Sequence, residues 1–384
     1  MKIVYCLNNL YQLGGIVKII SQKVNTLSEI ENNQIFIVVL DRKKNNLFYI
    51  SNKIKVIDLR IDFSQLDNLK GIKYFITLIK LHWITRKCLK STLNLIKPDI
   101  VISVGQWEKN IIPFIYGKWK TIREFHFSRF YRNHLKYSKK KYIDKIFKFL
   151  ISHFEILILK KYDKIVILTN EDKQLNWKKW ENICVIPNPI PIDIVITSKH
   201  ENNEIISIGR LTEQKNYKSL INIFSKISPI FPDWSLKIYG DGPERENLLN
   251  QIFNLNLQDK IFLEGECLNI NKIYERGSIF ALTSIYEGMP LVILEAMKAG
   301  LPVISYDCPC GPKDLINNGK DGFLIPTSNE LQFIEKLTFL IKEKDLRERM
   351  SVQASIKMKS YSIDVIINKW QKLFNLLIKN HDYD

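Results

Sequence analysis

Short apolar runs alternate with longer amphipathic stretches along almost the whole chain. The runs are rich in isoleucine and valine, which is typical of strands that are buried on both faces. The stretches between them show the spacing of helices with one apolar side. This alternation predicts parallel sheets that are covered by helices on both faces. The predicted strands are Lys2–Leu7, Gln34–Leu40, Ile54–Leu59, Asp99–Val104, Thr121–Phe125 and Lys164–Thr169, then Glu204–Ile208, Ser235–Tyr239, Lys260–Glu264, Ser278–Thr283, Pro302–Tyr306 and Gly322–Ile325.

The same rhythm runs twice, and the interval between the two series has the composition of a linker. Residues 186–204 read IPNPIPIDIVITSKHENNE, with three prolines in six residues followed by a polar run. We therefore predict two doubly wound α/β domains, residues 1–190 and 191–361, followed by a helical segment over 362–384. The predicted helices include Gly15–Ser28, Lys70–Ile96, Tyr217–Ser228, Pro243–Asn254, Pro290–Ala299 and Ser362–Lys379.

The composition is that of a globular protein, with 46% hydrophobic and 25% charged residues in 384. No apolar run reaches the ~18 residues that are needed to cross a bilayer, and the N-terminus has no signal-peptide pattern. We therefore expect a cytoplasmic protein. The six cysteines are scattered, and Cys308-Pro-Cys310 has no second ligand pair for a zinc ion. Reduced, packed thiols and no metal site are the expectation.

The net charge of +17 favours an anionic partner, which could be nucleic acid, a membrane surface or a small substrate. Basic and aromatic residues mix at helical spacing in residues 73–90 and 129–164, which suits helices that lie on anionic lipid. The alternative is that these segments reflect a lysine-rich and isoleucine-rich composition, with the apolar face in the core. Nucleic acid is less favoured, since neither a helix-turn-helix, a zinc motif nor a single-strand platform is recognisable.

Two loops that follow predicted strands could approach phosphate groups. NNLYQLGGIVK carries Gly14 and Gly15 just before a helix, where glycine lets backbone N–H groups come close to an anion. GRLTEQKN places Arg210 and Lys215 at the end of a strand, which suits a diphosphate. An ordinary tight turn and a solvated basic loop are the structural alternatives.

A third loop, YGDGPERENL, follows another predicted strand. Gly240 allows close approach to a ligand, and Pro243 is predicted to lie in the first turn of the next helix. A loop in which Asp241 acts as a cap would explain the same residues.

The stretch EGMPLVILEAMKAG, residues 287–300, combines a predicted helix N-terminus with two carboxylates. Pro290 is predicted to start the helix and Gly300 to end it, which leaves N–H groups at Met289, Leu291 and Val292 for an anion. Glu287 and Glu295 would be repelled by a phosphate, but they can accept hydrogen bonds from sugar hydroxyls. This combination fits a nucleotide sugar. The alternative is that Glu295 is a buried carboxylate paired with an arginine.

These motifs, taken together and in this order, resemble those of family-4 glycosyltransferases of the GT-B fold. The resemblance rests on the E-x7-E spacing of Glu287 and Glu295, GRL…KN, GDGPE, IPNPI, the N-terminal Gly-Gly pair and DCPCGPKDLINNGKDGFLIP at 307–326. It covers nearly the whole chain. It implies two Rossmann-like domains facing a cleft, with a C-terminal helix that crosses back to the first domain.

The resemblance also implies roles for individual residues. Glu295 would hold the ribose of the donor, Glu287 the hydroxyls of its sugar, and Arg210 and Lys215 the leaving diphosphate. His126, in REFHFSR, matches the family histidine near the reacting sugar. The remaining donor-binding residues by this pattern are Gly14, Gly15, Gly240, Gly288, Met289, Pro290 and Leu291.

The activity implied is a metal-free, cofactor-free hexosyltransferase reaction with retention of configuration, by front-face attack or by double displacement. A hexose or N-acetylhexosamine would move from a UDP-sugar to a lipid-linked or oligosaccharide acceptor in capsule, lipopolysaccharide or other surface polysaccharide synthesis. GDP-mannose is the alternative donor, and a basic nucleic-acid-binding protein the alternative of another class. The expected place of action is the inner face of the plasma membrane, with the protein bound peripherally.

Overall fold

A computed structural model describes residues 1–11, 15–41, 48–128, 154–191, 194, 198–267 and 269–379. In these residues the strands form two sheets, one in each half of the chain, and every neighbouring pair of strands is parallel. The predicted fold class, an α/β protein with two doubly wound sheets, is confirmed.

The first sheet has seven strands in the order β3-β2-β1-β4-β5-β6-β7. The side chains of its central strands are almost entirely buried, as expected for strands that are covered on both faces. The strands are β1 Lys2–Leu7, β2 Gln34–Val39, β3 Lys55–Asp58, β4 Ile100–Ser103, β5 Lys120–Glu124, β6 Lys164–Ile167 and β7 Ile183–Val185.

The second sheet has six strands in the order β10-β9-β8-β11-β12-β13, which repeats the order of the first six strands of the first sheet, β3-β2-β1-β4-β5-β6. A bulge between Leu263 and Gly265 shifts the register of its edge strand. The strands are β8 Glu204–Ile208, β9 Ser235–Tyr239, β10 Ile261–Gly265, β11 Ile279–Leu282, β12 Val303–Asp307 and β13 Gly322–Pro326.

Helices connect the strands and cover both faces of each sheet. They are α1 Gly15–Ser28, α2 Gly71–Ile96, α3 Asn170–Asn176, α4 Tyr217–Ile227, α5 Arg245–Asn254, α6 Ile270–Arg276, α7 Leu291–Lys298, α8 Pro312–Leu315, α9 Glu330–Lys342, α10 Lys344–Met358 and α11 Ile363–Lys379. Short 3-10 turns lie at Phe63–Leu66, Glu108–Asn110, Ile112–Phe114, Glu213–Lys215 and Lys359–Tyr361.

The last helix, α11, packs on the first sheet, although it follows the second sheet in sequence. Trp370 and Phe374 are buried in the same core as Tyr5 of β1 and Ile20 of α1. The chain leaves the first half near Ile190 and returns to it near Tyr361. These two segments lie side by side, and Ile190 N donates to Tyr361 O at 2.9 Å. The predicted return of the C-terminal helix is therefore confirmed, while the domain boundaries at residues 190 and 361 stay predictions.

Two local predictions were wrong. Strand β7 was missed, because its three residues are too few to show a periodic pattern. Pro243 does not lie in a helical turn, since α5 begins two residues later, at Arg245. There Glu244 N donates to Leu211 O at 3.0 Å, so the chain is still bound to the neighbouring loop and has not yet entered the helix.

Among the described residues no helix combines the length and apolarity needed to cross a membrane. All six cysteines are free, and Cys6, Cys308 and Cys310 are buried. Burial raises the pKa of both Cys308 and Cys310 well above the ordinary value of a thiol.

Candidate active site

The strand order of each sheet reverses beside its first strand. β1 lies between β2 and β4, and β8 lies between β9 and β11. In open parallel sheets ligands bind at the carboxyl ends of the strands at such a reversal. The loops after β1, β8 and β11 hold most of the predicted site residues. The structure brings the two reversal points against each other, with Gly15 next to Leu291 and Gly288 next to His126, and the boundary between the two halves at this place is called the cleft below.

The loops after β8 and β9 form one backbone unit. Leu211 N donates to Asp241 O at 2.9 Å, and a Cβ on Gly240 would lie only 2.2 Å from the carbonyl oxygen of Gly209. Gly240 has a φ of +133°, a conformation that residues with a side chain rarely adopt. A glycine is therefore required at position 240 because the two loops pack closely against each other. A contact of Gly240 with the donor stays a prediction. Arg210, at the end of β8, is exposed.

Lys215 and Glu287 meet at the centre of this half-site. Lys215 Nζ lies 2.7 Å from Glu287 Oε1, and both side chains are largely buried. The loops that carry them are tied together, since Ile285 N donates to Gln214 O at 2.8 Å and Gln214 Nε2 donates to Tyr286 O at 2.9 Å. The two residues that the sequence assigned to diphosphate and sugar are thus direct neighbours.

Helix α7 begins beside Glu287, as the sequence predicted to within one residue. Pro290 is its N-cap, and Gly300, with a φ of +78°, follows its end. No side chain caps its first turn, so the N–H groups of Leu291 and Val292 point towards the cleft end of the helix. The side chain of Met289 packs against Asn188, and its sulfur accepts a hydrogen bond from Asn188 N at 3.2 Å.

Glu295 is buried in the second turn of α7 and has two protein partners. Tyr274 OH donates to Glu295 Oε2 at 2.9 Å, and Lys18 Nζ lies 3.6 Å from Glu295 Oε1. Side chains therefore do pair with this carboxylate, as the structural alternative required, and the partners among the described contacts are a lysine from the other half of the chain and a tyrosine. The ribose contact that the resemblance implies stays a prediction.

The first half of the chain meets this site at two glycines. A Cβ on Gly15, the first residue of α1, would lie 2.8 Å from Leu291 Cδ1, and one on Gly288 would lie 2.8 Å from the carbonyl oxygen of His126. Gly288 thus lies against the backbone of His126 with no room for a side chain, and Gly15 lies against the side chain of Leu291. The assignment of these four residues to one donor site stays a prediction. Gly14 lies outside the described residues.

A buried charged cluster supports His126 from behind. His126 Nε2 lies 3.0 Å from Glu124 Oε1, and the ammonium of Lys23 pairs with the same carboxylate oxygen. Lys23 and Glu124 are almost fully buried, and the Lys23 ammonium lies 4.2 Å from the centroid of the Trp370 ring. The cluster therefore joins α1, β5 and the returning helix α11 to the histidine.

The electrostatics of this cluster follow from its burial. Burial alone would raise the pKa of Glu124, but the charges of Lys23 and His126 outweigh it and lower the pKa to about 2. Burial lowers the pKa of Lys23, and the attraction of Glu124 opposes that shift. Glu124 is thus a carboxylate at neutral pH, and His126 Nε2 lies at ion-pair distance from it without the geometry of a hydrogen bond.

The sequence analysis missed Lys18, Lys23, Glu124 and Tyr274. One signal could have pointed to Lys23, which lies three residues after Ile20 and one before Val24 on the apolar side of an amphipathic helix. Such a lysine needs a buried partner. The sequence carries no signal that identifies this partner, Glu124, which lies about a hundred residues further along the chain.

Metal ligation has no visible basis in the described parts of the chain. They contain no group of three or more histidine, cysteine, aspartate or glutamate side chains placed to hold an ion. The reaction without a metal stays a prediction.

Residues 192–356 match the family described as "Glycosyl transferases group 1". Related chains include an uncharacterized glycosyltransferase of Haemophilus influenzae, 28% identical over 54% of this chain and 60% of its own length. The amylovoran biosynthesis glycosyltransferase AmsD of Erwinia amylovora is 32% identical over 56% of this chain and 62% of its own. This chain therefore spans about three fifths of the length of these two relatives.

A third relative has a more specific name. The N-acetylgalactosamine-N,N'-diacetylbacillosaminyl-diphospho-undecaprenol 4-alpha-N-acetylgalactosaminyltransferase of Campylobacter jejuni is 28% identical over 41% of this chain and 42% of its own.

Solved structures share the fold over nearly the whole chain. TarM of S. aureus, in complex with fondaparinux, alpha-GlcNAc-glycerol and UDP, has a TM-score of 0.72 at 17% identity and covers 97% of this chain and 99% of its own. HepE of Anabaena, in complex with UDP, has a TM-score of 0.73 at 14% identity, over 98% and 100% of the two chains. The fold is that of the GT-B glycosyltransferases, and residues 192–356 match the group 1 family.

Proposed function

We propose that this protein is a retaining glycosyltransferase that moves a hexose or N-acetylhexosamine from a UDP-sugar to a lipid-linked saccharide in surface polysaccharide synthesis. The observation that carries the proposal is the pairing of Lys215 with Glu287 at 2.7 Å beside the N-terminus of α7. A cation and a helix N-terminus suit a diphosphate, and a carboxylate next to them suits sugar hydroxyls.

Donor binding would exchange the Lys215–Glu287 pair for contacts with the donor. The ammonium of Lys215 and the exposed guanidinium of Arg210 would neutralise the diphosphate as it leaves, while Glu287 accepts hydrogen bonds from the sugar. Charge develops on the diphosphate when the sugar–phosphate bond breaks, so fixed positive groups stabilise the transition state. His126, held by Glu124, would face the reacting sugar from the other side of the cleft.

The nature of the donor and acceptor is supported by the names of similar proteins. Two solved structures of the same fold contain UDP, which favours UDP over GDP. The relative named after an undecaprenol-linked saccharide supports a lipid-linked acceptor. An enzyme with such an acceptor would act at the cytoplasmic surface of the plasma membrane, bound peripherally.

The proposal is tested with a thermal-shift panel of UDP-glucose, UDP-galactose, UDP-N-acetylglucosamine and GDP-mannose, with UDP alone as the reference, followed by a transfer assay with the donor that binds. We expect one UDP-sugar to raise Tm more than UDP alone. A shift with GDP-mannose instead would establish the mannosyltransferase alternative, and no shift with any donor would contradict the proposal.

The assay is repeated with Glu287→Gln, which keeps the size of the side chain and removes its charge. We expect turnover to fall by about 100-fold or more, since one lost transition-state contact of this kind costs roughly 3 kcal/mol. Glu335→Gln, at an exposed carboxylate on α9 that pairs with its neighbour Lys336, is the control and should keep full activity. Full turnover by Glu287→Gln would contradict the assigned role.

A further inference from the structure

The outer side of α2 carries a stripe of large apolar residues that the described part of the chain leaves exposed. Ile72, Ile76, Ile79 and Trp83 are between 61% and 77% exposed. Their spacing of four, three and four residues places them along one side of the helix. The inner side of the same helix is packed, since Leu81, Leu89 and Leu93 are buried. Single exposed apolar residues are ordinary, but an aligned row of four indicates a binding surface.

The charges of α2 have one sign. Its 26 residues contain no aspartate or glutamate. Lys73, Lys80 and Lys87 follow at intervals of seven residues, which is close to two helical turns, and therefore form a row beside the apolar stripe. The ammonium of Lys87 lies 5.6 Å from the centroid of the Trp83 ring. An apolar stripe with a cationic border matches the interface of an anionic bilayer, where acyl chains lie below phosphate groups.

The stripe lies at the end of α2 that is closest to the cleft. A helix of this length spans roughly 39 Å, about twice the length of the strands beside it. Its second half packs on the sheet, where Leu89 and Leu93 contact the core that contains Val4 and Val101. Its first half reaches beyond the sheet, and there Leu81 packs with Phe63. The apolar stripe thus lies at the carboxyl edge of the strands.

A cavity suited to a saccharide opens on the inner side of the same region. It has a volume of about 200 Å³ and is lined by Asn8, Asp41, Asp62 and Trp107 among other residues. Phe63 connects it to the helix, because its ring stacks on Trp107 at 4.5 Å and contacts His82 of α2 edge to face at 5.9 Å. Carboxylates, amides and an indole are groups that bind sugar hydroxyls and ring faces.

Charge decides between the occupants that such a face could take. A second copy of this chain would place the lysine rows of two α2 helices close together, where like charges repel. A nucleic acid would satisfy the lysines but would leave the isoleucines in water. An anionic bilayer satisfies both features at once.

We propose that the face formed by Ile72, Ile76, Ile79 and Trp83, with the row Lys73, Lys80 and Lys87, docks this protein on an anionic lipid bilayer. The surface presents the adjacent cavity to a saccharide carried on that bilayer. The inference deepens the proposed function and rests on it in one respect, which is the reason why this protein would meet a membrane. Binding to vesicles itself requires no sugar transfer.

The test is co-sedimentation of the full chain with vesicles of phosphatidylcholine alone or mixed with phosphatidylglycerol. We expect binding to the mixed vesicles only. Ile76→Glu and Trp83→Glu should each weaken it by roughly tenfold, since the burial of one large apolar side chain changes a partition constant by about that factor. Lys80→Gln should weaken it by about fivefold. Leu331→Glu, at an exposed apolar position on α9, is the matched control and should bind as the parent chain does.

Because the substituted side chains are exposed, the variants should keep the Tm and circular dichroism of the parent chain. Equal binding of Ile76→Glu and the parent, or equal binding to neutral and mixed vesicles, would overturn the inference. So would a dimer in sedimentation velocity that Ile76→Glu dissociates, or a duplex-DNA mobility shift that Lys80→Gln abolishes without any vesicle binding. Vesicle binding by a chain that transfers no sugar would contradict the proposed function alone.

Discussion

The two walls of the cleft are built by different means. In the wall from the second half, backbone features frame the Lys215–Glu287 pair: Gly240 packs against the carbonyl oxygen of Gly209, and the first turn of helix α7 has no side-chain cap. The wall from the first half is made of side chains, with His126 held by a buried carboxylate and a buried lysine. A wall of backbone requires glycines and helix ends at fixed places in the chain, and these are visible in a sequence. A wall made of side chains that come from distant positions in the chain is not visible in a sequence.

Removal of the charge at the centre of the first wall should have the largest effect. Glu124→Gln leaves the buried ammonium of Lys23 without its partner, and we expect the free energy of unfolding to fall by about 3–5 kcal/mol. Urea denaturation measures this change in the free energy of unfolding. The control is Glu29→Gln, which breaks an exposed pair with Lys53 and should cost below ~1 kcal/mol. A loss as small as that of the control would mean that the first wall does not depend on this ion pair.

The pH dependence of stability should report the same carboxylate. The pKa of Glu124 is lowered from 4.5 to about 2 in the folded chain, so its stabilisation is present above the unfolded pKa and is lost as pH falls towards the folded value. We expect a contribution of about 3 kcal/mol to disappear on acidification. Urea melts of the parent chain between about pH 6 and pH 3 should therefore show a steeper decline than those of Glu124→Gln. Parallel declines would contradict the low pKa.

The backbone of the second wall is tested by Gly240→Ala. The new Cβ would meet the carbonyl oxygen of Gly209 at 2.2 Å, at a φ of +133°, and we expect a loss of about 2–4 kcal/mol in thermal or urea unfolding. Gly319→Ala provides the comparison, because Gly319 also has a positive φ but a Cβ added to it would meet no atom within 4 Å, and the variant should lose only about 1 kcal/mol. Equal losses would show that conformation, and not close approach, requires Gly240.

Glu295 stands between the two walls and should respond to its tyrosine. Tyr274→Phe removes the hydroxyl that donates to Glu295 Oε2, which leaves a buried carboxylate with one partner fewer. We expect a cost of about 1–2 kcal/mol, read from the shift of the urea midpoint. Tyr49→Phe, at a largely exposed tyrosine, should leave stability unchanged. An unchanged Tyr274→Phe variant would indicate that solvent or another group satisfies Glu295.

The smallest effect is expected for the lysine that reaches across the cleft. Lys18→Gln removes an ion pair of 3.6 Å in which Lys18 is partly exposed, so stability should fall by no more than ~1 kcal/mol. If Lys18 and Glu295 hold the two walls together, a change in donor affinity should exceed this change in stability. Calorimetric titration with the donor from the panel provides that measurement. A loss of stability above about 2 kcal/mol would place Lys18 among the structural charges of the first wall.

Most secondary-structure elements and the main backbone features of this protein could be predicted from its amino-acid sequence. Apolar periodicity gave most strands and helices to within one or two residues, since burial on one or both sides is a local property of each segment. Periodicity failed at β7, because three residues are too few to show a period. It also failed at Pro243, because the backbone of the next residue, Glu244, still binds Leu211 and the helix begins only after it. The stretch from Glu287 to Gly300 also showed its helix and its carboxylates in advance.

The tertiary structure alone decided the partners. Lys23 and Glu124 are 101 residues apart, and Lys18 reaches Glu295 from the other half of the chain. The same is true of α2: its sequence showed a mixture of apolar and basic residues, but only packing revealed which residues enter the core and which remain outside. Contacts of this kind depend on how sheets and helices stack, and a single sequence holds no local signal that specifies them.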